Sequence, residues 1–148
     1  MTADRHFLDA AIAEAVTGRD EGGIPIGSVM VVESRIVGRG HNRRVQDGSV
    51  IRHAEMDALE DAGRLPASAY RRATLFSTLS PCDMCSGAIL LYGIPRVVVG
   101  ERTTFRGPDS LLAERGVEVV VFDDERCIGL MNDFIAHNLE LWNEDIGE

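Results

Sequence analysis

The sequence predicts an α/β fold, a three-layer α-β-α sandwich with a central five-stranded mixed sheet. Segments with helical and with strand-like spacing of apolar residues alternate along the chain in the order α-β-β-α-β-α-β-α-β-α. Some of the strand-like segments are apolar on both faces, and such strands need helices on both sides of their sheet. A length of 148 residues with 45% hydrophobic residues suits a single domain, 1–148.

The first three elements are predicted to be a helix and a β-hairpin. Apolar residues between 7 and 16 fall on one face of a helix that runs to about Arg19, and glycines follow it. The β-rich segments Ile26 to Glu33 and Ile36 to Gly40 are two strands, and Ser34-Arg35 is the predicted turn between them.

The middle of the chain is predicted to contain a polar loop and two helices. Residues 41–52 are polar and are predicted to be a loop, and a helix follows over 54–62 with a glycine stop. Ser80 and Pro81 are favourable starting residues for a second helix, which extends to Tyr92. The remaining predicted elements are strands at 73–78, 96–100 and 117–122 and helices at 110–115 and from Asp124 to about Leu141.

The charge of the chain argues against a nucleic-acid substrate. The formal net charge is −9 and the sequence pI is about 4.9, whereas nucleic-acid binding depends mainly on Lys and Arg that neutralise phosphates. The basic pairs Arg43-Arg44 and Arg71-Arg72 are interpreted as solvated surface. We therefore expect a small-molecule substrate and no nucleic-acid partner.

Cysteine use and hydropathy predict a cytoplasmic protein. Three cysteines are too few for a disulfide framework, and two of them form a C-x-x-C pair; Cys127 is left over and is interpreted as a core thiol. The N-terminal segment carries Asp4, Arg5, Asp9 and Glu14, unlike a signal peptide. No apolar run approaches the roughly 18 residues that a membrane span needs, so we expect no membrane partner.

Two short motifs together predict a catalytic metal site. His53 and Glu55 form an H-x-E motif, and residues 81–85 read Pro-Cys-Asp-Met-Cys. One imidazole and the thiolates of Cys82 and Cys85 supply three ligands for one Zn²⁺ per chain, which leaves the fourth tetrahedral position open for water. This H-x-E…P-C-x-x-C pattern is the signature of zinc-dependent nucleobase deaminases.

Glu55 is the acid–base residue that the motif offers. Zinc-bound water has a pKa of about 7, so a nucleophile forms at neutral pH, and deamination then requires proton transfers. On an ideal helix a residue two positions after His53 points about 200° away from it, so Glu55 is not expected to be a fourth ligand. A non-helical backbone at His53 would instead allow Glu55 to lie over the metal.

A structural zinc site or a redox C-x-x-C is the alternative from another class of protein. A structural site needs a fourth Cys or His ligand, and Cys127 is the only spare cysteine. His6, His41 and His137 are interpreted as surface or hydrogen-bonded residues. The catalytic interpretation is therefore preferred over the structural one.

Beyond the metal motif, nearly the whole chain resembles one family. The matching segments are 21–27, 38–42, 78–85, 92–96, 98–101, 123–127 and the tail 142–148. The chain is similar to the cytidine and deoxycytidylate deaminase superfamily, and it most closely resembles the small fungal-type cytosine deaminases. The tail Glu-Asp-Ile-Gly-Glu at 144–148 is more specific than the metal motif, which alone identifies only the superfamily.

This resemblance implies which residues bind the substrate. It implies that the Asn42 amide recognises the pyrimidine edge and that Asp145 accepts a hydrogen bond from the exocyclic amine. It also implies that Phe105 and Trp142 pack against the flat base. The other implied contacts are the pocket wall at Ile26 and backbone groups of Ala54 and Ser80, with Ala54 standing where a fungal relative has glycine.

The expected reaction is hydrolytic deamination of free cytosine to uracil and ammonia. The alternative substrates are another free base or small aminated heterocycle, such as guanine, isocytosine or a methylated cytosine. The resemblance also implies a homodimer, and the apolar stretch 88–92 is a candidate interface, although a buried core helix accounts for that stretch equally well.

Overall fold

The computed structural model describes residues 2–148 and places a five-stranded mixed sheet at its centre. The strands are β1 (Gly27–Val32), β2 (Arg35–His41), β3 (Ala73–Leu79), β4 (Arg96–Glu101) and β5 (Glu118–Val121). Their order across the sheet is β2-β1-β3-β4-β5. Strand β1 is antiparallel to both neighbours, whereas β3, β4 and β5 are parallel, so the predicted mixed sheet is confirmed.

Helices cover both faces of this sheet. The helices are α1 (Thr2–Asp20), α2 (Arg44–Asp47), α3 (Ala54–Ala62), α4 (Ala67–Tyr70), α5 (Asp83–Tyr92), α6 (Asp109–Glu114), α7 (Glu125–His137) and α8 (Leu139–Asp145). One core cluster joins α1 and α7 to one face of the sheet, and a second joins α3, α5 and α6 to the other. The three-layer sandwich predicted from the sequence is therefore confirmed.

The two faces of β1 show why the sheet needs two helical layers. All six residues of β1 are buried, with Val29 and Val31 in the cluster beneath α1 and Met30 and Val32 in the opposite cluster. Side chains alternate across a strand, so an apolar run without alternation must be covered on both sides. The apolar run at 29–32 thus fixes β1 near the centre of the sandwich.

The hairpin between β1 and β2 differs by one residue from the sequence prediction. Val32 pairs with Arg35, so the turn residues are Glu33 and Ser34 rather than Ser34 and Arg35. Their φ angles are 50° and 63°, the left-handed values that a two-residue hairpin turn of the primed type requires. The position of the turn was mispredicted because Glu33 and Ser34 are not residues that commonly adopt a left-handed conformation, unlike the usual Asn-Gly pair.

Three other predictions needed correction. Short helices α2 and α4 occupy segments without helical periodicity, and α2 falls within the predicted loop 41–52. The long C-terminal helix is broken at Asn138, where φ is −142° and ψ is 48°, and this break separates α7 from α8. Strand β5 is a partly exposed edge strand rather than a fully buried one.

Close approach of β2 and α3 orients the helix that begins next to His53. A Cβ atom on Gly38 would overlap the backbone of Ala58, and one on Gly40 would overlap α3 at Asp57 and Ala58. Side chains at these two positions would push α3 away from the sheet. Glycine at alternate positions of β2 therefore brings the start of α3 close to the sheet.

A third apolar cluster lies beneath the candidate site. It contains Ile24, Ile26, Ala54, Leu79, Met131, Phe134 and Trp142. These residues come from the segment before β1, the start of α3, the end of β3, and α7 and α8. Within residues 2–148, no helix is both long enough and apolar enough to cross a membrane.

Candidate metal centre and active-site pocket

Two helix N-termini converge to form the metal centre. His53 is the N-cap residue of α3 and Cys82 is the N-cap residue of α5, and both have extended backbone conformations. Neither side chain caps its own helix, so both remain available as ligands. The positive ends of the two helix dipoles favour thiolates at this point.

The donor atoms have the spacing that tetrahedral zinc requires. His53 Nδ1 lies 3.4 Å from Cys82 Sγ and 3.8 Å from Cys85 Sγ, and all three donor atoms lie within 4.8 Å of one another. Zinc bonds of about 2.0 Å to nitrogen and about 2.3 Å to sulfur put tetrahedral N and S ligands about 3.6 Å apart. The His-Cys-Cys set therefore fits zinc without rearrangement.

The protonation states of these groups reflect their strong mutual coupling. Burial opposes a charge on His53, but its hydrogen bond to Cys82 and the carboxylates of Asp145 and Glu55 outweigh that effect and raise its pKa to about 9. A hydrogen bond with Cys85 lowers the pKa of Cys82 to about 4 despite burial. The same hydrogen bond, together with burial, raises the pKa of Cys85, so the chain itself stabilises a thiolate at one of the two cysteine ligands, Cys82.

Glu55 is a buried carboxyl group at the same pocket. Its residue is only 4% exposed, and burial raises its pKa to about 7. Because His53 is outside the helical conformation, the 200° separation of an ideal helix does not apply, and both residues line one pocket. A carboxyl group that titrates near neutrality is suited to both accepting and donating a proton.

Most of the residues predicted from the sequence line this pocket. The lining residues are Ile26, His53, Ala54, Glu55, Leu79, Ser80, Cys82, Phe105, Trp142, Asp145 and Ile146. Sequence reasoning missed Leu79 and Ile146. Each adjoins a residue that was identified, Ser80 and Asp145 respectively, but an isolated aliphatic residue carries no chemical signal.

Asn42 lies behind Asp145 rather than in the pocket wall. It is fully buried, and its Nδ2 donates to Asp145 Oδ1 at 2.9 Å while its Oδ1 accepts from the Arg44 backbone N–H at 3.0 Å. One N–H of the amide and one lone pair of its oxygen remain available. His53 Nε2 also approaches Asp145 Oδ1, at 3.4 Å. Asp145 therefore connects the predicted base-reading amide to a metal ligand.

Arg44 is a further residue beside the site, and its interpretation as solvated surface was wrong. Its side chain is only 10% exposed, and Nη1 lies 3.5 Å from Asp145 Oδ1 and 3.7 Å from Glu144. Its Nε donates to the carbonyl oxygen of Val50 at 3.1 Å. Proximity to Asn42 in the sequence was the signal that could have found it.

Two aromatic rings form one side of the pocket. Phe105 and Trp142 pack edge to face, with ring centroids 5.9 Å apart and an interplanar angle of 86°. Trp142 is 5% exposed and belongs to the cluster beneath the site. Phe105 comes from the loop after β4, so this wall joins two segments that are distant in sequence.

Cys127 is not part of the metal centre. It is 1% exposed in the core cluster between α1, α7 and the sheet, and burial raises its pKa to about 12. It is therefore a neutral thiol, as expected from the sequence. The cluster of metal-ligating side chains at the site consists of His53, Cys82 and Cys85.

A mixed α/β sandwich that presents His-Cys-Cys ligands and a buried glutamate at one pocket defines the class of zinc-dependent deaminases. The family model for the cytidine and deoxycytidylate deaminase zinc-binding region matches residues 1–101. The chain therefore belongs to the cytidine and deoxycytidylate deaminase family.

Three comparisons place the chain within this family. It is 52% identical over 146 residues to a cytosine deaminase from Candida albicans, with 98% of this chain and 97% of the relative covered. It is 43% identical over 108 residues to a tRNA-specific adenosine deaminase from Streptococcus pyogenes, which covers 72% of this chain and 68% of the relative. A structure from work on tRNA:A34 deaminases has a TM-score of 0.73 at 26% identity and covers 85% of this chain and 99% of its own.

The family model and the full-length relative cover different parts of the site. The family model ends at residue 101, after the metal ligands and Glu55 but before Phe105, Trp142 and Asp145. The match to the fungal cytosine deaminase extends over nearly the entire chain and so includes the aromatic wall. The range of the family model thus covers the metal ligands and Glu55, whereas the match to the cytosine deaminase spans the whole pocket.

Proposed function

We propose that this protein hydrolyses free cytosine to uracil and ammonia. The observation that carries the proposal is the 52% identity to a cytosine deaminase along the whole chain, which includes the pocket residues beyond 101. Enzymes that share only the metal motif act on different aminated bases. The substrate must therefore be argued from the rest of the pocket.

The residues of the metal centre account for the reaction type. When bound by His53, Cys82 and Cys85, zinc supplies a water molecule that is activated near neutral pH. Glu55 accepts a proton from the attacking water and passes it to ring nitrogen N3 as the resulting hydroxide adds to C4. Glu55 then takes the proton of the new C4 hydroxyl group and delivers it to the exocyclic amine. The C4–N4 bond breaks, the C4 carbonyl forms, and the amine leaves as ammonia.

The remaining pocket residues account for a flat, neutral substrate. Asp145 accepts a hydrogen bond from the exocyclic amine. Asn42 recognises the 2-oxo group and N1–H, which requires its buried amide to turn from Asp145 and Arg44 toward the pocket. Phe105 and Trp142 contact the face and edge of the base, and Ile26 lines the same pocket. Backbone groups of Ala54 and Ser80 complete the set proposed to contact the substrate.

The same contacts favour the free base over its nucleoside. A pocket that hydrogen-bonds a ring N–H discriminates by about 10⁴ or more against an analogue that lacks it. In cytidine, the N1 hydrogen is replaced by ribose. The proposal therefore predicts high activity on cytosine and very little on cytidine.

Ammonia release from a panel of substrates tests this function. Cytosine, isocytosine, methylcytosine, cytidine, guanine, adenine and a tRNA are each incubated with zinc-loaded protein, with and without chelator. We expect chelator-sensitive release from cytosine. Equal rates on cytosine and cytidine would contradict the base preference, and release only from guanine, isocytosine or tRNA would replace cytosine as the substrate.

The net charge of −9 favours a small substrate over tRNA within this panel. The tRNA arm is still required because the chain is 43% identical over 108 residues to a tRNA-specific adenosine deaminase. If binding to tRNA occurs through phosphates, it should weaken steeply between 50 and 200 mM salt, about 10³-fold or more. Deamination of the free base should be insensitive to that change.

We also propose a cytoplasmic homodimer of single-domain chains. Leu91 and Tyr92 at the end of α5 are 73% and 46% exposed, and they border a hollow lined by apolar residues such as Met56 and by the charged residues Glu60, Arg64 and Arg71. A second copy of the chain would cover this surface. Sedimentation equilibrium should show a dimer that Leu91→Glu dissociates, whereas Leu139→Glu at another exposed leucine should leave it intact. A monomeric wild-type protein would overturn the proposal.

A further inference from the structure

Glu101 is the most deeply buried acidic residue within the described part of the chain. It lies at the end of β4 and has no exposed surface, and the structure gives it no salt bridge within residues 2–148. Its carboxylate instead accepts neutral donors: the backbone N–H of Thr103 at 2.7 Å, that of Thr104 at 2.9 Å, and the Thr104 hydroxyl. A buried carboxylate without a cation requires such donors, so these bonds constrain the loop that supplies them.

The loop 102–108 is attached at its other end as well. The Gly107 N–H donates to Ser80 Oγ at 2.9 Å, and the Ser80 N–H donates to the Glu101 carbonyl oxygen at 3.0 Å. A Cβ atom on Gly107 would overlap the carbonyl oxygen of Pro81. The loop therefore lies directly on the segment that carries Cys82.

Phe105 lies between these two attachment points. Residues 103 and 104 are held by Glu101, residue 107 is held by Ser80, and the Phe105 ring is left to face the pocket and Trp142. Phe105 has no polar atom in its side chain to fix its position. Its placement over the pocket must therefore come from its neighbours in the loop.

We infer that Glu101 is a positioning residue that holds Phe105 in the wall of the substrate pocket. The inference extends the proposed function, and only its kinetic test depends on that function. Glu101 does not contact the substrate. It keeps the loop in the conformation that binds a flat base, so its loss should weaken binding more than it slows the chemical step.

Glu101→Gln can keep every bond, because its carbonyl oxygen can accept from both N–H groups in place of Oε2 while its NH₂ group donates to the Thr104 hydroxyl. Glu101→Leu is therefore the primary test, since it removes both acceptor oxygens. We expect KM for cytosine to rise at least about 10-fold, the factor that corresponds to one lost hydrogen bond, while kcat changes by less than about 2-fold. Zinc content should remain at one per chain.

Trp142 supplies a readout that does not depend on activity. It is the sole tryptophan and it packs against Phe105. If Glu101→Leu releases the loop, acrylamide should quench Trp142 fluorescence more strongly than in the wild type, under conditions in which the variant is folded. Glu118→Leu is the matched control, since that side chain is 62% exposed on the edge strand, and it should change neither quenching nor KM.

Two variants of Thr104 provide the test if Glu101→Leu does not fold. Thr104→Val removes only the hydroxyl bond and should raise KM and quenching in the same direction, by a smaller factor. Thr104→Ser retains the hydroxyl and should keep wild-type values. Unchanged KM and quenching in the folded Glu101→Leu variant, or in Thr104→Val if the former does not fold, would overturn the inference. If wild-type protein fails to act on cytosine, the proposed function fails, while quenching still decides the role of Glu101.

Discussion

The metal centre and the substrate side of the pocket are built in different ways. The ligands and Glu55 come from two short motifs, at 53–55 and 82–85, each placed at the N-terminus of one helix. The substrate side joins the loop after β4, the helix α8 and the loop after β2. Its central hydrogen bond, from Asn42 to Asp145, connects residues 103 positions apart.

Because of this difference, the metal centre determines the type of reaction, and the substrate side of the pocket determines which base is bound. A short motif suffices to bind zinc and activate water, because the ligands need only share the ends of two helices. Recognition of a particular base requires side chains from several elements to meet, and only the complete fold brings them together. Deaminases can therefore share a metal centre and still differ in the residues that recognise the base.

Removal of zinc should have the largest effect, because it disables the metal centre completely. Dialysis against a chelator should abolish ammonia release from cytosine, and added zinc should restore it, since no other group among the pocket residues activates water comparably. Metal content measured by atomic emission should follow activity. Cys127→Ala should keep its zinc, and a metal-free protein with full activity would exclude the zinc mechanism.

Glu55→Gln should reduce kcat by about 10²- to 10⁴-fold while the zinc content remains unchanged. The amide is similar in size to the carboxyl group but cannot transfer protons, and general acid–base catalysis typically contributes this factor. Glu60→Gln on the exposed side of the same helix is the control and should retain wild-type kcat. An active Glu55→Gln enzyme would remove Glu55 from the mechanism.

The metal centre was also the more predictable region from the sequence. His53, Cys82 and Cys85 were identified from residue type and spacing, and the structure brings their donor atoms together. The sheet was predictable too, because strands β1 and β4 each contain a continuous apolar run, at 29–32 and 97–99. In both cases the signal is local, so that neighbouring positions in the sequence carry it.

The substrate side could not be derived from local patterns. Asp145 is one of 24 acidic residues, and neither its charge nor its spacing indicates that it faces Asn42. Only the resemblance to a family drew attention to it. Arg44 was misinterpreted for the same reason, since its partner lies about 100 positions away. The break at Asn138 likewise lacks a glycine or proline to mark it.

Asp145→Asn tests the substrate side directly. It should lower kcat/KM for cytosine by roughly 10- to 100-fold, the range expected for a hydrogen bond to a charged group, with zinc retained. Asp133→Asn is the matched control, since that side chain is 75% exposed on α7. A loss of zinc from Asp145→Asn would instead show that its contact with His53 supports the metal centre, and the two regions would then not be separable.

Asp57 connects the start of α3, next to the metal ligand His53, to the loop after β2 that carries Asn42. Its replacement should lower the stability of the protein more than its catalytic activity. It lies one turn after His53, and its carboxylate accepts from the His41 backbone N–H, from Arg43 Nε and from Arg52 Nε at 2.8–3.1 Å. Burial raises the pKa of Asp57, but the two arginines and the N–H outweigh burial and lower it below its ordinary value of 3.8.

The sign of the pH dependence follows from this lowered pKa. A carboxyl group whose folded pKa lies below its unfolded value contributes stability fully above the unfolded value, and the contribution disappears as pH falls through the folded pKa. Asp57→Asn should therefore lower the free energy of unfolding by about 1–3 kcal/mol at pH 7. The difference from wild type should narrow below about pH 4, as measured by urea denaturation at several pH values. Asp20→Asn is the control, because that side chain is 66% exposed, and it should have nearly the wild-type free energy of unfolding at every pH. If the loss of stability in Asp57→Asn stayed constant down to pH 2, packing rather than charge would hold α3 against residues 41–52.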